Sequence, residues 1–211
     1  MAHNGDFSSM HPSVDLTQGR FTVGVGRGWA DLLTPINFYR MNVTGFGLDV
    51  VVQAGAQVVP GVVIYPQIMA TCQLDGARPR HRNGNYELSG RRPRNRDGIY
   101  DGPPSLVAEI FARDEPWEDR LVRSQELLAR GGVTEYVAIC PGGLLWFRLG
   151  DGRYTRVEPD KEGIIRSSAL PGLWFNVVAH QQREYSRMFT DIIQGIESVL
   201  PEKYWAMTPL R

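Results

Sequence analysis

Runs of apolar and polar positions along the chain predict strands and helices in succession. Two β-branched runs bounded by glycine and proline are typical of buried strands, and a later apolar run carries a single carboxylate, Glu109. Two more runs flank a Pro-Gly-Gly turn, which predicts a β-hairpin. The strands predicted in this way cover residues 48–52, 62–65, 105–111, 135–140 and 144–149.

Helical signals occur at three places. A short helix around Trp29 is expected to end before Pro35, because proline disrupts a helix interior. Pro116 opens a second helix, since a proline in the first turn loses no hydrogen bond, and two glycines end this helix at 131–132. An apolar stripe predicts one long helix over roughly 180–199.

This order of elements predicts an α+β fold, a mixed β-sheet flanked by helices. We expect one domain over residues 28–200, preceded by a loose arm at 1–27 and followed by a tail at 201–211. With 211 residues and 42% hydrophobic content, the chain can bury a core without disulfide staples. Its two cysteines, Cys72 and Cys140, are expected to pack as small apolar residues.

Charge and targeting signals narrow the class of protein. The 23 basic and 23 acidic residues give a net charge of zero, which argues against a uniformly basic coat for nucleic acid. The chain shows neither a signal peptide nor an apolar run long enough to span a membrane, so we expect a cytoplasmic protein. The four histidines have no partner at metal-ligand spacing and are expected at the surface.

One segment, residues 73–98, departs from this neutral average. It carries seven arginines against three acidic residues, a net charge of +4. Two interpretations stay open: a solvated surface loop, or a contact for the phosphates of DNA or for an acidic protein surface. The arginines concerned are Arg78, Arg80, Arg82, Arg91, Arg92, Arg94 and Arg96.

The C-terminal tail is a second candidate contact. Tyr204, Trp205 and Met207 follow the last predicted helix, and such residues are enriched in the cores of interfaces. They either fold back onto their own domain or bind another subunit, whether a second copy or a different protein. We expect the second arrangement.

Four separate motifs occur in order across the C-terminal half. They are Gly102 to Ile110, Gly132 to Tyr136, Asp151 to Tyr154, and Ser167 to Phe175. In this order they resemble the Uma-type restriction endonuclease family of the PD-(D/E)xK nuclease superfamily. The resemblance implies a restriction-endonuclease-like fold, in which the strand that carries Glu109 neighbours the strand at Gln67.

The resemblance also implies a site for Mg²⁺, built from two carboxylates on adjacent strands and a nearby lysine. The carboxylate of Glu109 is retained, but the Pro-Asp pair of the family corresponds to Pro66-Gln67, so the aspartate is replaced by Gln67. The lysine position falls at Ser124 or, by another count, at Arg123. Where other superfamily members place their lysine, this chain has Phe111.

These departures favour a catalytically degenerate, nuclease-fold protein that acts as a binding or accessory subunit, without a cofactor. Glu109 would then be a residual carboxylate, bonded to backbone or to Arg123. The alternative is a Mg²⁺-dependent DNA endonuclease with a rearranged site, in which Asp49 or Asp101 supplies the second carboxylate.

Overall fold

The structure is a computed structural model. It describes residues 14–15, 20–21, 27–43, 48–52, 54–72, 99–112 and 116–200, with side chains from Asp31 onward except that of Asp101. The helices are α1 (Arg27–Asn42), α2 (Trp117–Gly131), α3 (Val177–Gln182) and α4 (Tyr185–Val199). The strands are β1 (Val14–Asp15), β2 (Arg20–Phe21), β3 (Asp49–Val52), β4 (Ala56–Val59), β5 (Val62–Ile64), β6 (Ile68–Thr71), β7 (Tyr100–Asp101), β8 (Leu106–Ile110), β9 (Glu135–Cys140), β10 (Gly143–Gly150), β11 (Arg153–Arg156), β12 (Ile164–Arg166) and β13 (Trp174–Asn176).

Six strands form the central sheet, in the order β11-β10-β9-β8-β6-β3. The strands β8 and β9 are parallel, and the other neighbours in this sheet are antiparallel. The parallel pair requires a crossover connection, and helix α2 provides it. The α+β fold with a mixed, helix-flanked sheet is therefore confirmed.

Both faces of the central sheet are covered. Alternate residues of β8 point to opposite sides, so Leu106 and Ala108 join one core and Val107 joins the other. The first core contains α1, α3 and α4, with Tyr39 among its largest buried side chains. The second contains α2 and the small sheet β5-β4-β7. Strand β6 is buried at all four positions and lacks polar alternation, so the apolar pattern did not show it and only the resemblance implied a strand at Gln67.

Two helix predictions were wrong in their bounds. Helix α1 continues to Asn42 with Pro35 inside it, because Leu32, Ile36 and Tyr39 bury a common face that offsets the hydrogen bond lost at proline. The predicted helix over 180–199 is divided into α3 and α4. Arg183 takes a left-handed conformation with φ of 59°, and its backbone N–H caps α3.

The ends of the arginine-rich segment are held in the sheets, although residues 73–98 themselves lie outside the described residues. At one end, the Cys72 N–H donates to Ser105 Oγ at 2.9 Å. At the other end, the Tyr100 N–H donates to the Gly55 carbonyl at 2.9 Å, and its hydroxyl donates to Asp49 Oδ2 at 2.5 Å. The tail with Tyr204, Trp205 and Met207 also lies outside the described residues, as do the predicted boundaries of the arm and tail.

The prediction that the histidines lie at the surface was wrong for His180, and the other three histidines lie outside the described residues. His180 is half-buried against the ring of Phe175 at 5.3 Å, and burial lowers the pKa of its imidazole. No helix in the described ranges is both long enough and apolar enough to cross a membrane.

Candidate functional site

The site implied by the resemblance lies where β6 and β8 meet. Their antiparallel register ends with Ile68 paired to Ala108, and Gln67 and Glu109 are the residues next to this pair at the same end of the two strands. The expectation that these two strands are neighbours is confirmed. Glu109 lies on the same side of β8 as Val107, which faces helix α2. The site is thus built between the central sheet and α2.

The carboxylate of Glu109 has two partners. The hydroxyl of Tyr136, on the parallel neighbour β9, donates to Oε2 at 2.6 Å. The guanidinium of Arg120 on α2 lies 3.9 Å from Oε1, and both side chains are only 17% exposed. Arg123, the cation expected here, is exposed. The cation beside Glu109 is therefore Arg120, about one helical turn earlier than expected.

The Tyr136 phenol remains a proton donor in this environment. Burial raises its pKa above the ordinary range, and the charge of Glu109 and the hydrogen bond to it raise the pKa further. Ser124, one of the two residues at which the resemblance places the lysine, hydrogen-bonds to the same phenol and partly opposes this shift. Ser124 rather than Arg123 thus faces the site.

Gln67 is buried, with 7% of its surface exposed. Its side-chain oxygen Oε1 has no hydrogen-bond partner among the described residues. An unpaired buried polar atom costs roughly 1–3 kcal/mol of stability. Gln67 therefore brings an unpaired dipole to the site in place of a second negative charge.

Of the two substitute carboxylates, the structure describes only the side chain of Asp49, and it does not restore the metal site. Asp49 pairs with Thr71, four residues from Gln67 along the chain, which is roughly 14 Å at 3.4 Å per residue. Of Asp101 only the backbone is described, in β7 beside Gln57 of β4. Among the described residues, no three histidine, cysteine or acidic side chains are grouped as a metal site would require. These residues do not fit Mg²⁺, which needs several hard oxygen ligands around one point.

The sequence analysis missed a second buried carboxylate, Glu135, the neighbour of Tyr136 in the chain. Glu135 is fully buried and accepts hydrogen bonds from three other residues. Arg148 Nε and Nη2 donate to Oε1 at 3.1 Å each, and the Ser168 N–H and hydroxyl donate to the same oxygen at 2.9 Å. Ser167 Oγ donates to Oε2 at 2.5 Å. Two of the four motifs, Gly132 to Tyr136 and Ser167 to Phe175, meet at this carboxylate, but the sequence does not show that they meet.

Comparison with solved structures shows a likeness of fold. No protein-family model matches this chain, and no curated protein matches it. A solved structure described as "a putative nuclease belonging to DUF820", from Anabaena variabilis ATCC 29413, is similar with a TM-score of 0.53. The match covers 83% of this chain and 88% of that chain, at 12% sequence identity. The chain has a nuclease-like fold.

Proposed function

We propose that this chain is a catalytically degenerate relative of the Uma-type nucleases that acts by binding nucleic acid. The proposal rests on one observation: buried, neutral Gln67 and Glu109 are the residues next to the Ile68–Ala108 pair, at the same end of β6 and β8. A metal-dependent nuclease needs its second carboxylate at the position of Gln67. Ser124 at the lysine position agrees with it, because a hydroxyl supplies no positive charge for the transition state. The fold is thus retained without the groups that carry the chemistry.

Purified protein is expected to leave plasmid DNA uncut in Mg²⁺ or Mn²⁺, because Glu109 alone cannot hold the metal near a phosphate. Gel analysis of nicked and linear DNA measures this. Glu109→Ala is the control, and it should show the same background as the wild type. Robust cleavage that disappears in Glu109→Ala would establish the alternative, an endonuclease with a rearranged site.

The partner we favour is DNA, because the arginine-rich segment 73–98 has a net charge of +4 in a chain of zero net charge. Arginine binds phosphate oxygens in a fork, and each neutralised phosphate releases counterions. The residues on either side of the segment, Cys72 and Tyr100, are hydrogen-bonded within the fold. A DNA contact made by the segment would therefore begin beside these two residues.

DNA affinity is therefore expected to fall steeply as salt rises, and fluorescence anisotropy at several salt concentrations measures the slope. Replacing Arg91, Arg92, Arg94 and Arg96 by alanine should flatten the log–log slope by up to about 3.6, at about 0.9 per phosphate contact. The control variant has the same change in net charge, because four exposed arginines elsewhere are replaced by alanine. These are Arg40, Arg123, Arg130 and Arg153. If wild-type protein does not bind DNA at low salt, the segment instead serves a protein contact or none.

A further inference from the structure

Arg120 reaches the remnant site from helix α2. Its guanidinium lies over the ring of Phe111, 4.9 Å from the centroid, and its Nη2 is 3.9 Å from Glu109 Oε1. A cation over an aromatic face is attracted to the ring, and a side chain only 17% exposed is weakly screened by water. The ring and the carboxylate together hold this positive charge in one place.

The position of Arg120 along α2 relates it to Ser124, where the resemblance places a lysine. Arg120 precedes Ser124 by four residues, so both lie on the face of the helix that packs on the sheet. Ser124 contacts Tyr136, and Tyr136 contacts Glu109. The positive charge that Ser124 cannot supply is therefore present one turn earlier and is held beside the remaining carboxylate.

We propose that Arg120 acts as an internal cation, which balances the charge of Glu109 in the place a metal ion would otherwise take. The proposal rests on the proposed function, since it presumes a site without a bound metal. Among the described side chains of this cluster, Glu109 carries one negative charge, Arg120 one positive charge and Gln67 an uncharged oxygen. A divalent cation beside Glu109 would be repelled by Arg120 at close range, and this repulsion opposes its attraction to the carboxylate.

The test compares two double variants with identical overall charge. Gln67→Asp restores the second carboxylate in both, and it is combined with Arg120→Gln in one and Arg123→Gln in the other. Arg123 is the matched control, because it is an exposed arginine on the same helix. Mn²⁺ affinity is measured by calorimetry, and the variant without Arg120 is expected to bind Mn²⁺ at least about tenfold more tightly.

Equal affinities in the two double variants would overturn the internal-cation proposal, as would no Mn²⁺ binding in either, and both would leave the proposed function standing. Mn²⁺ binding by the wild type that is lost in Glu109→Gln would overturn the proposed function and this inference together. If the double variant without Arg120 fails to fold, Arg120→Gln and Arg123→Gln are compared singly. MnCl₂ should then raise the thermal midpoint of Arg120→Gln more than that of Arg123→Gln. Equal rises in the two variants would count against the proposal.

Discussion

Glu135→Ala is expected to lower the free energy of unfolding by about 3 kcal/mol. This is the lower end of the range for breaking a buried ion pair, because Glu135 is fully buried but Arg148 is 38% exposed. The substitution removes the acceptor for Arg148, Ser167 and Ser168 at once. Ser167 is itself buried, so its hydroxyl would lose its acceptor in a place with little access to water. These hydrogen-bond partners come from β10 and from the segment before β13. Removing the carboxylate therefore weakens two parts of the fold rather than one side-chain contact.

Thermal unfolding measures this effect as a drop of roughly 6–12 °C, at 2–4 °C per kcal/mol for a chain of this size. The control is Glu158→Ala, which breaks a 2.7 Å ion pair with Arg156 whose side chains are 55% and 64% exposed. Exposed ion pairs contribute little to stability, so the thermal midpoint of Glu158→Ala should fall by less than about 2 °C. Similar drops in both variants would show that the buried network contributes no more than a surface pair.

Gly195→Ala is expected to destabilise the fold by about 2 kcal/mol, although alanine favours a helix over glycine by about 1 kcal/mol. A Cβ at Gly195 would lie 2.6 Å from Trp174 Cγ and would also overlap the carbonyl oxygen of Gly172. The carbonyl belongs to a backbone turn with φ of 84° at Gly172, so it cannot move aside like a flexible side chain. Overpacking of this kind costs about 3 kcal/mol, which exceeds the gain in helix propensity.

Urea unfolding measures the free-energy change, with Gly150→Ala as the control because nothing lies within 4 Å of a Cβ built at Gly150. The control should change the stability by less than about 0.5 kcal/mol. A Gly195→Ala variant as stable as the wild type would mean that α4 can move away from the turn at Gly172 without cost.

Sequence reasoning located the elements whose signals are local. The strand at Glu109, the helix after Pro116 and the hairpin after Glu135 each carry their own apolar pattern and end signals, and the structure contains all three. The neighbourhood of Gln67 and Glu109 followed from the resemblance, because no local pattern shows which strands pair. The resemblance alone implied strand β6, since this strand is buried on both sides and its sequence shows no alternation.

The chemistry of the site was harder to predict than its place. The sequence alone does not distinguish Arg120 from Arg123, because both are arginines in the same helix. Only the packing of α2 on the sheet decides which one faces Glu109. The full burial of Glu135 was equally hidden, because two of its partners, Ser167 and Ser168, lie more than 30 residues further along the chain. Both cases depend on long-range packing, which a one-dimensional pattern does not contain.

Cys72 and Tyr100, the described residues on either side of the arginine-rich segment, are both hydrogen-bonded within the fold. Cys72 is held at the end of β6 away from Gln67, roughly 17 Å along the strand at 3.4 Å per residue. Changing the length of a connection costs little, about 0.6 kcal/mol for each doubling. The connection between Cys72 and Tyr100 can therefore change in length at little cost in stability, while the buried carboxylates keep their surroundings.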